Sequence, residues 1–329
     1  MQSLENLNET IPSAQKPLFS PFLVDPLRIQ GNFSLGDGSA FYNEKHNMII
    51  VNPCDNTVQF YDATTILPLK ERETKKIGSL IADFSYHKET DTYLLSCEEA
   101  KSIYSYNASS NELKKLKEFN DYASAVEFMS PSYYAFSIQN KELCVGTLEN
   151  GKIWTIHSKD KSPYYLQSLN KSRLLLATLE DGTVMVYRTN KLPKMPVFCS
   201  VKGHYVSFSF VRIQNAMVNG KEIVITIEKG LVLKIWQIRK GAMRLLRIIE
   251  TKEQIDGFVY LENEKMIVTT GGYESNSIKF WSLTSGKLVK TLDMERGDRS
   301  PLFLMKDKNI IGVPRCNTNL VEFIKLYRE

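Results

Sequence analysis

The stretch Gly271–Leu292 reads GGYESNSIKFWSLTSGKLVKTL. A polar turn leads into an apolar/polar alternation that reaches Trp281, and a second turn leads into a second alternation. Alternation at period two is the pattern of a strand with one face buried, so the stretch predicts a hairpin. The same order of turn, alternation, aromatic and polar exit recurs at Glu180–Lys191 (EDGTVMVYRTNK), Glu228–Leu246 (EKGLVLKIWQIRKGAMRLL) and Cys54–Leu69 (CDNTVQFYDATTILPL). Looser copies lie at Glu98–Leu116, Asn140–Ile156 and Asn317–Tyr327.

Aligned on the aromatic, the copies give Tyr61, Tyr106, Gly146, Tyr187, Trp236, Trp281 and then Phe323 or Tyr327. The gaps are 45, 40, 41, 49, 45 and 42 or 46 residues. A four-stranded propeller blade recurs at about 40–45 residues. Upstream of each copy lies a short apolar run, such as MIIV at Met48, RLLLAT at Arg173 and EIVITI at Glu222. Earlier still come runs such as LIADFSY at Leu80 and YVSFSFV at Tyr205. These runs are short and rich in Val, Ile, Tyr and Phe, which suits buried strands. NELKKLKEF at Asn111–Phe119 has helical spacing, but its register makes it the outer strand of the second blade.

The repeats resemble the WD-repeat β-propeller family. Trp281 stands in the Trp position of that family's core, with Ser282 where Asp is common; Tyr187 and Arg188 replace Trp-Asp in another copy, and Tyr61-Asp62 keeps a literal Tyr-Asp. Gly203-His204 is the single Gly-His that opens a repeat. By period the resemblance covers residues 36–329. It implies an all-β fold: a single seven-bladed β-propeller of four-stranded antiparallel blades. The last copy ends a strand short, and PFLVDPLRI at Pro21–Ile29 is left over. The expectation is therefore that an N-terminal strand closes the last blade and removes an open edge. Residues 1–17 are polar and are expected to form a disordered tail, with 18–329 forming the propeller.

No stretch of 18 consecutive apolar residues occurs, and the N-terminus has no apolar signal core. The five cysteines are scattered, with no Cys-x-x-Cys spacing. The expectation is an intracellular protein, cytoplasmic and/or nuclear, that does not engage a membrane. The net charge of +5 arises from 42 basic and 37 acidic residues intermixed, which neither demands nor excludes nucleic acid.

Catalysis needs convergent polar groups. The four histidines, His46, His87, His157 and His204, form no metal-ligand spacing with Cys or one another, and no phosphate-cradling or nucleophile motif appears. No catalytic, cofactor-binding or metal residue is expected, no cofactor, and no small-molecule substrate. Glu180-Asp181-Gly182 is read as a tight turn. The basic clusters at Lys114–Lys117, Arg188–Lys194 and Arg239–Arg247 fall on or near outer strands and are read as a solvated rim.

Function in such a ring resides in its loops. One face combines the turns between second and third strands with the blade-to-blade connections. It is expected to display Glu98, Lys101, Tyr122, Tyr273, Arg296, Arg299, Arg315 and the segment Glu71–Lys76. Tyr and Arg are common binding anchors, which makes Tyr122, Tyr273, Arg296, Arg299 and Arg315 the candidate partner-binding residues. The expected function is a non-catalytic protein–protein interaction scaffold, a subunit of a multiprotein complex that binds proteins or peptides. The alternative is an RNA-contacting component of a ribonucleoprotein or ribosome-assembly particle. The stretches Leu18–Phe33 and Asn56–Leu69 are loosely similar to the opening of a propeller protein of the small-subunit processome.

Overall fold

The computed structural model describes residues 24–27, 39–52, 56–97, 99–138, 142–158, 163–179, 181–202, 213–218, 221–228, 231–239, 242–271, 277–293, 302–315 and 320–326. Strand β1 (Val24–Leu27) comes first in the chain. Blade 1 holds β2 (Ser39–Asn43), β3 (Met48–Asn52), β4 (Thr57–Asp62) and β5 (Lys75–Lys76). Blade 2 holds β6 (Ile81–His87), β7 (Thr92–Cys97), β8 (Ser102–Asn107) and β9 (Glu112–Glu118). Blade 3 holds β10 (Ala123–Phe128), β11 (Tyr133–Ile138), β12 (Glu142–Thr147) and β13 (Ile153–Ser158). Blade 4 holds β14 (Pro163–Leu169), β15 (Leu174–Leu179), β16 (Thr183–Arg188) and β17 (Val197–Lys202). Blade 5 holds β18 (Ile213–Val218), β19 (Lys221–Glu228), β20 (Val232–Arg239) and β21 (Ala242–Glu250). Blade 6 holds β22 (Ile255–Leu261), β23 (Met266–Gly271), β24 (Ser277–Ser282) and β25 (Leu288–Asp293). Blade 7 holds β26 (Phe303–Met305), β27 (Ile310–Arg315), β28 (Leu320–Leu326) and, as its fourth strand, β1.

The fold is thus a seven-bladed propeller of four-stranded antiparallel sheets, closed by the N-terminal strand. β1 runs antiparallel to β28 with Asp25 opposite Lys325 and Leu27 opposite Phe323. Segment Asn111–Phe119 contains β9, an edge strand with a mostly exposed surface. The first strands of neighbouring blades contact one another, which places them innermost.

Seven apolar clusters hold the ring, one at each junction between neighbouring blades. The repeated aromatic packs against the preceding blade. Trp281 lies in the cluster shared with blade 5, Trp236 in that with blade 4, and Tyr61 in that with blade 7. Both indoles donate Nε1–H to a threonine of the second strand: Trp236 to Thr226 and Trp281 to Thr269, each at 2.9 Å. Blade 7 corrects the alignment. Phe323 packs toward blade 1, whereas Ile324 packs toward blade 6 and holds the position expected of Phe323 or Tyr327. Tyr327 lies outside the described residues.

Gly146 has a physical reason. Tyr134 lies opposite it on β11, and a Cβ on Gly146 would stand 2.4 Å from the Tyr134 ring. The aromatic has moved from the third strand to the second and still fills the junction with blade 2.

In blades 1, 2 and 6 the residue after the aromatic caps the turn to the fourth strand. Asp62 accepts from the Thr64 and Thr65 amides at 2.9 and 2.7 Å, Asn107 from the Ser110 amide at 2.8 Å, and Ser282 from the Ser285 amide at 3.1 Å. Short polar side chains suit this role because they reach back to nearby backbone amides. Blade 4 places Arg188 there, which has no acceptor to offer.

Candidate partner-binding face

On the face carrying the second-to-third strand turns, the structure brings Lys101 and Tyr122 together. Lys101 follows β7 and Tyr122 immediately precedes β10. The Lys101 ammonium sits 5.5 Å from the Tyr122 ring centroid and donates to the Asn120 carbonyl at 3.1 Å. The Tyr122 amide donates to Asp121 at 2.9 Å, and the ring stays exposed. The pair therefore presents a fixed aromatic surface beside a cation. Arg315 ends β27 with its backbone opposite Leu320, at the same end of its blade. The Arg315 side chain, Glu98, Tyr273, Arg296, Arg299 and Gly203-His204 lie outside the described residues.

The segment Glu71–Lys76 does not all belong to this face. Arg72 donates to the Tyr106 hydroxyl at 2.7 Å and to the Ala108 carbonyl at 2.8 Å. Ala108 begins the turn after β8, so Arg72 ties blade 1 to blade 2 at the opposite face. The long excursion between β4 and β5 carries it there.

Two carboxylates act as joints between blades. Glu127 on β10 accepts from Ser85 of blade 2 at 2.7 Å, and from the Ser168 amide and Gln167 of blade 4 at 2.8 and 3.2 Å. Burial raises its carboxyl above the usual range, against those hydrogen bonds. Both oxygens are engaged, so Glu127 staples three inner strands.

Asp91, in the turn before β7, is buried between blades 1 and 2. It accepts from His46 at 2.6 Å, Tyr86 at 2.8 Å, Lys45 at 3.1 Å and the Ser109 hydroxyl. Burial alone would raise its carboxyl, but the hydrogen bonds from Ser109, His46, Tyr86 and Lys45 outweigh burial and hold it well below the usual range. Unfolding returns it to about 3.9. A depressed carboxyl stabilises fully above that value, and the contribution is lost as pH falls toward the folded-state value. Asp91→Asn is expected to cost roughly 2 kcal/mol at neutral pH. It is also expected to flatten the fall of the melting temperature below about pH 4, measured by calorimetry against the parent.

No family model and no curated protein matches the chain. Among solved structures, the chain is similar to the β-propeller domain of Cps50 (Swd1) from Myceliophteria thermophila, with a TM-score of 0.75 and 10% identity. The match covers 93% of this chain and 100% of that one. At that identity the likeness is one of fold. A propeller supports many unrelated functions, so function has to be argued from the site.

Proposed function

We propose that this protein is a non-catalytic scaffold that holds protein partners within an intracellular multiprotein complex, in cytoplasm and/or nucleus. The observation that carries the reading is the exposed Tyr122 ring held against Lys101 on a loop face of a closed ring. Rigid aromatic and cationic anchors bind partners at small cost in side-chain ordering. Cys97 and Cys144 are buried free thiols pushed up to about 12 by burial, which suits a reducing compartment. The basic outer strands favour protein over RNA. β9 on blade 2 lies apart from Arg188–Lys194 and β21, which belong to the neighbouring blades 4 and 5, so the three segments form no single track. Lys115 already pairs with Glu118, and Arg247 donates to the Ser285 carbonyl. A nucleic-acid surface calls for a continuous basic track.

Affinity purification with and without RNase tests this, comparing the parent with Lys101→Glu/Tyr122→Ala/Arg315→Glu. The expected result is a defined protein set that survives RNase and binds the variant at least tenfold more weakly. Partners that vanish with RNase favour the RNA reading. RNase-resistant partners that bind the variant equally well reject this face.

A further inference from the structure

Two of the basic segments converge in space. Arg188, at the end of β16, and Arg239, at the end of β20, line one cleft between blades 4 and 5, together with Arg173 from the turn before β15. The cleft has a volume of about 450 Å³ and opens on the face opposite Tyr122. Leu174, Phe198 and Ile238 supply its apolar wall, and Ser172 and Asn190 complete the lining. The Arg188 guanidinium lies 4.6 Å from the Phe198 ring centroid. Among the described residues none of the three guanidiniums makes an ion pair. All three arginines are exposed.

The carboxylate bonded to the cleft's Ser172 is already committed. Glu222 accepts from the amides of Lys171 at 3.1 Å and Ser172 at 2.8 Å, and from the Ser172 hydroxyl. It fixes the turn that carries Arg173, and among the described residues the three guanidiniums have no internal counter-charge. The rest of blade 4 adds to the imbalance. Its described acidic residue, Asp181, is in the turn after β15, at the other end of the blade, and Glu180 lies outside the described residues. Lys171, Lys191 and Lys194 share the cleft end.

Two of the arginines occupy positions that the repeat uses otherwise. Arg188 stands where Asp62, Asn107 and Ser282 cap their turns. Arg173, at φ +52°, stands where Asn47, Asp91 and Asn309 take the left-handed conformation, with Lys265 the other exception. Asn and Asp adopt that conformation most readily among non-glycine residues. Neither arginine is there for the sake of its turn.

We propose that the cleft between blades 4 and 5 binds a phosphorylated side chain of a partner protein, held by Arg173, Arg188 and Arg239 with its peptide against Phe198. The match is one of charge and valence. A guanidinium presents five N–H donors in a planar fork, and three exceed what a single carboxylate accepts. A phosphate monoester carries about −1.5 to −2 charge on three acceptor oxygens. The Phe198 ring and the Leu174 and Ile238 side chains suit a peptide flank, whereas single-stranded RNA calls for a groove that follows its backbone. This inference rests on the reading of the protein as a partner-binding scaffold, but it uses a different surface.

The test is fluorescence anisotropy of the full chain with labelled degenerate peptide pools centred on phosphoserine, phosphothreonine or phosphotyrosine, each beside its dephosphorylated form. At least one phosphorylated pool is expected to bind, and its dephosphorylated form to bind at least tenfold more weakly. Arg188→Ala and Arg239→Ala are each expected to weaken binding about tenfold, with unchanged melting temperatures. Arg188→Lys should fall between, because lysine keeps the charge and loses the fork. Lys101→Glu/Tyr122→Ala should bind the pool like the parent. The proposal is overturned if no pool binds, if dephosphorylation makes no difference, or if the arginine variants bind like the parent. It is also overturned if they lose a single-stranded RNA oligonucleotide but keep the phosphopeptide. A failed cleft with face-dependent partners in the affinity purification leaves the scaffold standing. An active cleft without such partners rejects the Tyr122 face alone.

Discussion

A chain lacking residues 1–27 is expected to melt about 6 °C lower than the full chain, and to associate through the edge it exposes. The deletion removes β1 from blade 7 and leaves β28 without its outer neighbour. Four residue pairs of ladder are lost. At about 1 kcal/mol per hydrogen bond this amounts to roughly 4 kcal/mol before any apolar exposure is counted. β28 also carries Phe323 toward blade 1 and Ile324 toward blade 6, so its fraying loosens both junctions. The ring is further tied there by Tyr42 of β2, which donates to Asp307 at 3.0 Å, and by Lys308, which donates to Thr64 at 3.1 Å. Calorimetry and light scattering report the two effects separately. A deletion that leaves both unchanged would show that β1 contributes nothing to closure.

Gly312→Ala is expected to destabilise the protein by about 3 kcal/mol, at the upper end for overpacking in a dense core. Gly312 lies on β27 opposite Phe303 of β26. A Cβ there would stand 2.1 Å from Phe303 Cζ and 2.3 Å from Cε1, closer than any carbon contact allows. The ring has little freedom to retreat, because it is buried against blade 1 with Phe323 edge-on, the two centroids 6.3 Å apart. Phe303→Leu makes room at its own cost. The double variant Gly312→Ala/Phe303→Leu is expected to be more stable than the sum of the single losses predicts, which is the signature of residues in contact. Denaturant midpoints of the four proteins measure the coupling. Additive losses would mean that the ring does not occupy the space above Gly312.

Much of this ring is legible in the sequence because a blade repeats a local pattern. Turn residues, period-two alternation and a fixed spacing locate β4, β8, β16, β20 and β24 without any knowledge of neighbours. The leftover apolar run at the N-terminus and the incomplete last copy together foretell the closure. What escapes is whatever depends on the adjacent strand or blade. Gly146 looks like a defect until Tyr134 is seen to cover it. Phe323 and Ile324 are adjacent apolar residues, and only the junction each packs into shows which holds the aromatic's position. Arg72 is a charge in a polar run until Tyr106 and Ala108 of the next blade supply its acceptors. The arginine cleft is the strongest case. Arg188 and Arg239 read as separate rim charges, and only the junction of blades 4 and 5 makes them one site. A local signal was nonetheless present, since Arg188 breaks the turn-capping pattern of Asp62, Asn107 and Ser282.

Both proposed binding surfaces depend on a ring closed by the two ends of the chain, and cysteine cross-linking tests that closure most directly. Asp25 and Lys325 are backbone partners across β1 and β28. Partners in an antiparallel pair lie about 4.5–5.5 Å apart at Cα, within disulfide reach. Asp25→Cys/Lys325→Cys is expected to form an intramolecular disulfide under mild oxidation, seen as a mobility shift that reductant reverses. Asp25→Cys/Lys290→Cys, with its second cysteine on β25 of blade 6, is expected to form none. A folded monomer that fails to cross-link at 25 and 325, or that cross-links equally well at 25 and 290, would contradict the closed ring.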